Sequence, residues 1–152
     1  MRLTAVAGVT LALGIALGAC GGDGDTGGSP EVTFDGSDCS YSGPGTLSEG
    51  LTTFQLDNRS EIRFSEMRVT LNILEFEEGK NFDDLVALAD DPAAVSELQG
   101  PPAWAPSVKT ARAGGGESTT FEVSLAAGNY ALWCVTQLPS FSVQAVAPLT
   151  VE

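Results

Sequence analysis

The sequence of 152 residues contains no histidine, and this absence excludes several kinds of chemistry. Without an imidazole, neither a Ser-His-Asp nor a Cys-His catalytic arrangement can be assembled. Basic residues are also few, 7 against 20 acidic ones, and they form no cluster. Because the net charge of −13 repels nucleic acid, we expect no nucleic-acid partner.

Other catalytic and cofactor-binding motifs are missing as well. Residues 114–117, Gly-Gly-Gly-Glu, lack the lysine and the strand-to-helix context of a phosphate-binding loop, so they predict a hairpin turn. The acidic residues around the predicted helices are Asp83, Asp84, Asp90 and Asp91. They lack the alternating spacing of a calcium-binding loop, and we interpret them as helix-capping residues. We therefore expect no enzymatic activity and no cofactor.

Only one long apolar run occurs, at residues 3–17, and it is shorter than the roughly 20 residues that span a bilayer core. It follows Arg2 and leads into Leu17-Gly18-Ala19-Cys20, which resembles the lipobox of bacterial lipoproteins. The resemblance implies that residues 1–19 are a signal peptide and that Cys20 carries the lipid. The alternative is an ordinary signal peptide with a coincidental cysteine. We expect a membrane-anchored protein on the extracytoplasmic side.

The rest of the chain divides into a tether and a domain. Residues 20–30 are rich in glycine and have no large apolar side chain, so they predict a flexible tether after the lipidated Cys20. Residues 31–152 have the length of one domain with its own core.

Cys39 and Cys134 are the cysteines that remain after Cys20. In an oxidising compartment we expect them to pair. A disulfide across this separation stabilises a domain by about 4 to 5 kcal/mol in the chain-entropy model. The alternative is that Cys134 is a buried free thiol or a metal ligand.

Most of residues 31–152 has the period of β-strands. Seven or eight short apolar segments, separated by turn residues, predict an all-β Greek-key sandwich. The alternation that runs from Met67 to Ile73 changes phase near Leu74, which suggests a bulge. Residues 80–106 are the exception, because a helical period follows Asn81 and a second short helix is predicted from Pro92 to Gly100.

The segment Leu125-Ala126-Ala127-Gly128-Asn129-Tyr130-Ala131-Leu132-Trp133-Cys134 resembles the penultimate-strand signature of cupredoxins. Asn58, after residues 54–57, resembles the strand-end asparagine of that fold. The resemblance covers most of residues 31–152 in strand order. It implies a cupredoxin-like sandwich and puts Cys134 at the copper-ligand cysteine of the family.

The chain departs from cupredoxins in its metal ligands. Blue-copper centres combine two histidines with a cysteine and often a methionine. No histidine or methionine follows Cys134, and Met67 is the only methionine after the predicted cleavage site. We interpret the domain as metal-free and non-catalytic, with a role in binding an unknown protein or small ligand or in envelope structure. The alternative is a copper-handling or electron-transfer protein that uses Cys134 with Cys39, Met67 and carboxylates.

The two tryptophans receive different interpretations. Trp104 lies in the proline-rich loop at residues 101–106, where an aromatic side chain is typical of a partner-binding anchor. The alternative is that Trp104 covers one end of the sandwich. Trp133 belongs to the most strand-like segment, and we interpret it as packing in the core or on a sheet face.

Overall fold

A computed structural model describes residues 28–61, 68–137 and 141–152 of the chain. The predicted signal segment, Cys20 and Met67 lie outside the described residues. Two helices, α1 (Phe82–Ala89) and α2 (Pro92–Glu97), separate the fifth strand from the sixth. The strands are β1 (Glu31–Phe34), β2 (Cys39–Ser42), β3 (Thr46–Leu47), β4 (Gly50–Asn58), β5 (Arg68–Glu75), β6 (Ser107–Gly114), β7 (Ser118–Leu125), β8 (Gly128–Thr136) and β9 (Ser142–Val151).

The strands form two sheets packed face to face. One sheet has the order β2-β1-β4-β7 and the other has the order β3-β9-β8-β5-β6. Pairs β1–β4 and β3–β9 are parallel, and the remaining pairs are antiparallel. The chain changes sheet five times, between β2 and β3, β3 and β4, β4 and β5, β6 and β7, and β7 and β8. The predicted Greek-key β-sandwich with a short helical insertion is confirmed.

The core lies between the sheets and follows from the alternation of side chains along each strand. Phe54 and Leu56 of β4 point into it, as do Leu71 and Ile73 of β5, and all four are fully buried. The Phe54 ring stacks on Phe121 of the neighbouring β7 with 5.7 Å between centroids. Burial of this apolar surface is the main favourable term in folding.

A second apolar cluster lies on the outer face of the five-stranded sheet, under the helices. The predicted bulge is confirmed in the β5–β6 pair, where the register shifts between Ile73 and Leu74, but β5 keeps its alternation because its register with β8 is continuous. Ile73 therefore packs between the sheets, whereas Leu74 packs with Trp133 and with Leu85 of α1. The same sheet has a second irregularity in β9, where Leu132 pairs with Ala147 but Trp133 pairs with Ala145.

Each helix of the insertion begins with a side chain that caps its first backbone N–H groups. The Asn81 side chain accepts hydrogen bonds from the backbone N–H groups of Asp83 and Asp84, at 2.8 and 3.3 Å. The Asp91 side chain caps α2 by accepting the N–H of Ala93 at 2.9 Å. Capping by Asn81 and Asp91 agrees with the sequence prediction.

The end of α2 differs from the prediction. The helix ends at Glu97 rather than at Gly100, because Leu98 takes an extended backbone with φ −71° and ψ 128°. The Leu98 side chain then packs against the second apolar cluster. At the end of the chain, the predicted one or two strands are a single strand, β9.

Candidate functional site

Cys134 is buried in the core and bonded to Cys39. Cys134 lies on β8, inside the five-stranded sheet, with 1% of its surface exposed. Cys39 begins β2, an edge strand of the other sheet, and the two Cα atoms are 6.5 Å apart. This separation suits a disulfide. The bond links the two sheets, so the sequence alternative of a free Cys134 thiol is not what the structure has.

Gln144 of β9 reinforces the same junction. It lies opposite Cys134 in the β8–β9 pair. Its Oε1 accepts the backbone N–H of Cys39 at 2.7 Å, and its Nε2 donates to Oδ1 of Asp38 at 2.6 Å. A hollow of about 220 Å³ lies beside this contact, against the α1 residues Val86 and Ala89. Sequence reasoning missed Gln144, because a single glutamine in a strand gives no signal of a contact 105 positions away.

The cupredoxin-like signature has a structural role in this chain. The Tyr130 hydroxyl donates to the carbonyl oxygen of Ala126 at 3.0 Å and closes the turn before β8. Gly128 lies beside the Tyr130 ring, where an added Cβ atom would be 3.4 Å from the ring, an ordinary contact distance. Burial is the main cause that raises the pKa of Tyr130, and the charge of Glu75 adds to it. The hydrogen bond of Tyr130 therefore fixes the turn before β8.

Asn58 closes one end of the sandwich. Its side chain is buried, and its Nδ2 donates to the carbonyl oxygen of Ala113 on β6 of the opposite sheet at 3.1 Å. Its Oδ1 accepts both the N–H and the hydroxyl of Ser60, at 3.1 and 2.7 Å. The resemblance to the strand-end asparagine of cupredoxins thus corresponds to a contact between the sheets.

The donor set does not fit a blue-copper centre. The sequence has no histidine, and Cys134 and Cys39 are both used by the disulfide. Within residues 28–61, 68–137 and 141–152, no group of three histidine, cysteine, aspartate or glutamate side chains is close enough to hold a metal ion. Type 1 copper needs imidazole and thiolate together. The described residues therefore do not supply the ligands of a type 1 copper site.

Trp104 lies over the outer end of the second apolar cluster and is half-buried. Its ring stacks on Phe76 with 6.4 Å between centroids, and the Lys80 ammonium is 5.1 Å from the ring centroid. These contacts hold the indole in place and leave part of it accessible. Trp133 is buried under the helices, as its predicted packing on a sheet face requires. Trp104 remains the predicted partner-binding residue.

A cleft on the outer face of the five-stranded sheet was not predicted. It has a volume of about 260 Å³ and lies between the sheet and the segment that follows α2. Polar side chains of β5 and β6 form one side of it, including Asn72, Thr110 and Arg112. Phe141 and Leu98 form the other side and also line a neighbouring hollow of about 450 Å³. The available signal was the outward polar alternation of β5 and β6, which is also typical of any solvated sheet face.

Comparisons with known proteins give similarity to solved structures only. No protein family matches the sequence, and no curated protein matches it. Auracyanin from the photosynthetic bacterium Roseiflexus castenholzii is 21% identical, with 80% of this chain and 94% of that chain covered and a TM-score of 0.41. Auracyanin A, a blue copper protein from the green thermophilic photosynthetic bacterium Chloroflexus aurantiacus, is 16% identical, with 80% and 96% covered and a TM-score of 0.44.

An azurin from the obligate methylotroph Methylomonas sp. strain J is 14% identical, with 80% of this chain and 95% of that chain covered and a TM-score of 0.38. In the described part of the chain, no helix is long and apolar enough to cross a membrane. The assignment of residues 31–152 to a β-sandwich rests on the strand pairing of this chain itself.

Proposed function

We propose that this protein is a lipid-anchored, extracytoplasmic binding protein with a cupredoxin-like domain that is metal-free and non-catalytic. The disulfide between Cys39 and Cys134 carries the proposal. It occupies the cysteine that corresponds, by resemblance, to the copper ligand of cupredoxins. A sulfur atom committed to a structural bond between two sheets is unavailable as a thiolate ligand.

The donors left after disulfide formation support the same proposal. They are carboxylates and the Met67 thioether, which bind Cu(II) weakly unless imidazole or thiolate joins them. The copper-handling alternative requires both cysteines to be reduced and still lacks imidazole. No contact among the described residues favours that alternative.

The proposed location rests on the sequence of the first 30 residues. The lipobox-like Leu17-Gly18-Ala19-Cys20 supports a lipid on Cys20, and the Gly-rich segment after it supports a tether. The strongly acidic composition would repel anionic lipid headgroups, so the anchor on Cys20 would hold the protein at the membrane. A protein partner would contact the accessible part of Trp104.

Copper binding tests the metal-free part of the proposal. One equivalent of Cu(II) is added to the purified full-length protein in detergent, which is then dialysed and analysed for bound copper and visible absorption. We expect neither stoichiometric copper nor the intense copper–thiolate band. The Cys39→Ser variant is the matched control, because it frees the Cys134 thiol without adding an imidazole. Retention of copper with an intense band in the oxidised wild type would contradict the proposal.

Membrane fractionation tests the anchor separately. Cys20→Ser is expected to remain folded but to lose lipid modification and to leave the membrane fraction or stay unprocessed. Titration of thiols in the denatured, unreduced wild type should find none free, because Cys20 is lipidated and the other two cysteines are paired. Normal lipidation of Cys20→Ser would overturn the assignment of the anchor.

A further inference from the structure

The residues that line the cleft beside the helical insertion change from charged to polar to apolar along its length. Directly paired residues form a row across the strands β6, β5, β8 and β9 of the sheet, namely Arg112, Thr70, Val135 and Val143. All of them line the cleft. The row spans about 14 Å at the usual strand spacing. One end is therefore cationic and the other end is apolar.

The apolar end extends beyond the sheet. Phe141 precedes β9 and has 47% of its surface exposed, although it is a large aromatic side chain. It and Leu98 line both the cleft and the neighbouring hollow, where Val95 of α2 adds a further apolar surface. A ligand with its charged group at the cationic end can therefore place its apolar part against these hydrophobic side chains.

The polar end presents hydrogen-bond donors that have no partner among the described residues. The Arg112 side chain makes no salt bridge or hydrogen bond with any described residue. Asn72 is 5% exposed, and its Oδ1 accepts the hydroxyls of Thr110 and Ser107 at 2.8 and 3.4 Å. These contacts orient the amide, and its Nδ2 donates to no atom of the described residues. Asn72 and Arg112 are diagonal neighbours on β5 and β6.

The charge of the cleft is opposite to that of the whole protein. The sequence has 20 acidic residues, yet none lies among the described residues that line the cleft or the neighbouring hollow. The Arg112 guanidinium and the Asn72 amide N–H, which no described side chain or backbone group accepts, favour an anion in a concave site whose described lining contains no carboxylate. The hydrophobic side of the cleft favours a ligand that also has an apolar body.

We propose that this cleft binds an amphipathic organic anion, a carboxylate with an apolar chain. The carboxylate accepts hydrogen bonds from the Arg112 guanidinium and Asn72 Nδ2, and the chain lies along Val135 toward Phe141 and Leu98. This inference rests on the proposed function, because it names the class of small ligand for a binding protein. Inorganic phosphate fits less well, since it would leave the apolar side of the cleft in water.

Calorimetric titration of the full-length protein with octanoate tests this assignment. We expect saturable binding of octanoate, and Arg112→Gln is expected to weaken it by about tenfold or more, since it removes a charged hydrogen-bond donor. Lys109→Gln is the matched control on the same strand, because Lys109 does not line the cleft. Its affinity for octanoate should stay within about twofold of the wild type.

The apolar contact is tested by a second pair of variants. Phe141→Ser should weaken octanoate binding, whereas Leu51→Ser should not, although Leu51 of the opposite sheet is 69% exposed. Octan-1-ol, which has the same chain without the charge, should bind much more weakly than octanoate. Equal binding of octanoate to wild type and Arg112→Gln, equal binding of the alcohol, or no binding at millimolar octanoate would each overturn the inference. Because the copper test does not involve this cleft, a failure here is distinguishable from a failure of the metal-free proposal.

Discussion

Gln144 lies opposite Cys134 in one sheet and accepts the backbone N–H of Cys39 in the other, at 2.7 Å. The start of β2 is therefore attached to the five-stranded sheet twice, by the disulfide to Cys134 and by the hydrogen bond to Gln144. The Nε2 of Gln144 also donates to Oδ1 of Asp38 at 2.6 Å. This contact includes the turn before β2 in the same junction. The short edge strand β2 is thus attached to the rest of the sandwich from two sides.

Reduction of the disulfide should lower the stability of the domain substantially. Loss of a native disulfide from a small domain costs about 2 to 5 kcal/mol, a large share of a typical 5 to 15 kcal/mol. We expect thermal scans with reductant to give a midpoint at least about 5 °C lower than scans without it. Cys39→Ser should be destabilised to a similar degree and should not respond to reductant. Superimposable scans of reduced and oxidised wild type would show that the bond does not stabilise the fold.

Gln144→Ala should destabilise the protein even with the disulfide intact. It leaves the Cys39 N–H without its acceptor and Asp38 without a donor, and loss of such contacts costs about 1 to 3 kcal/mol. The measurement is urea unfolding under oxidising conditions. Gln99→Ala is the control, because Gln99 is exposed and makes no hydrogen bond with the described residues. A change below about 0.5 kcal/mol for Gln144→Ala would mean that its contacts add nothing to the disulfide.

Local patterns were sufficient to predict most of the architecture. The period of side chains identified the strands, and the apolar Leu74 next to Ile73 indicated a bulge, which lies in the β5–β6 pair. Alternation along β5 then divides the two residues between the two apolar clusters. Asn81 and Asp91 identified the starts of both helices. The end of α2 was wrong because Leu98 leaves the helix to pack on Trp133 and its neighbours, which is a tertiary contact.

The candidate cleft depends on contacts that have no local signal. Arg112 and Val143 are brought into one row by the order of four strands, and that order is not encoded in any single segment. The orientation of the Asn72 amide depends on hydroxyls of β6. Composition gave only the general expectation of an acidic surface, whereas the outward positions of β5 and β6 that line the cleft are Thr70, Asn72, Thr110 and Arg112.

Tyr130→Phe should reduce the loss of stability at alkaline pH. Burial raises the pKa of Tyr130 above its usual value of 10.0, and the pKa of Tyr41 is raised by the same cause. The unfolded chain therefore releases these protons first, so stability is complete below pH 10 and falls as the pH rises toward the folded-state pKa. Each hydroxyl also donates one hydrogen bond, so each Phe variant should lose about 1 kcal/mol at neutral pH.

These are the only tyrosines in the sequence, and the double variant therefore isolates their contribution to the alkaline transition. We expect its free energy of unfolding to fall less steeply above pH 10 than that of either single variant. The measurement is urea unfolding between pH 8 and pH 11 on all four proteins. Identical slopes for the wild type and the double variant would contradict the raised pKa values.

The ionised carboxylate of Asp57 should stabilise the folded protein at neutral pH, and this stabilisation should be lost as the pH falls. The hydroxyl of Ser118 donates to its Oδ1 at 2.7 Å and Arg59 Nε donates to its Oδ2 at 2.6 Å, and both contacts lower the pKa of Asp57 below 3.8. Because the folded-state pKa is the lower one, the stabilisation is present above 3.8 and is lost as the pH falls through the folded-state value.

Asp57→Asn should therefore be less stable than the wild type at neutral pH, and the difference between them should shrink as the pH falls below 3.8. Glu122→Gln, on the outer face of the same β7 that carries Ser118, is the control for loss of one surface carboxylate. Urea unfolding at several pH values between 2.5 and 7 measures the difference. A constant difference across this range would mean that the charge of Asp57 is not what Ser118 and Arg59 stabilise, and the two contacts would then count only as neutral hydrogen bonds.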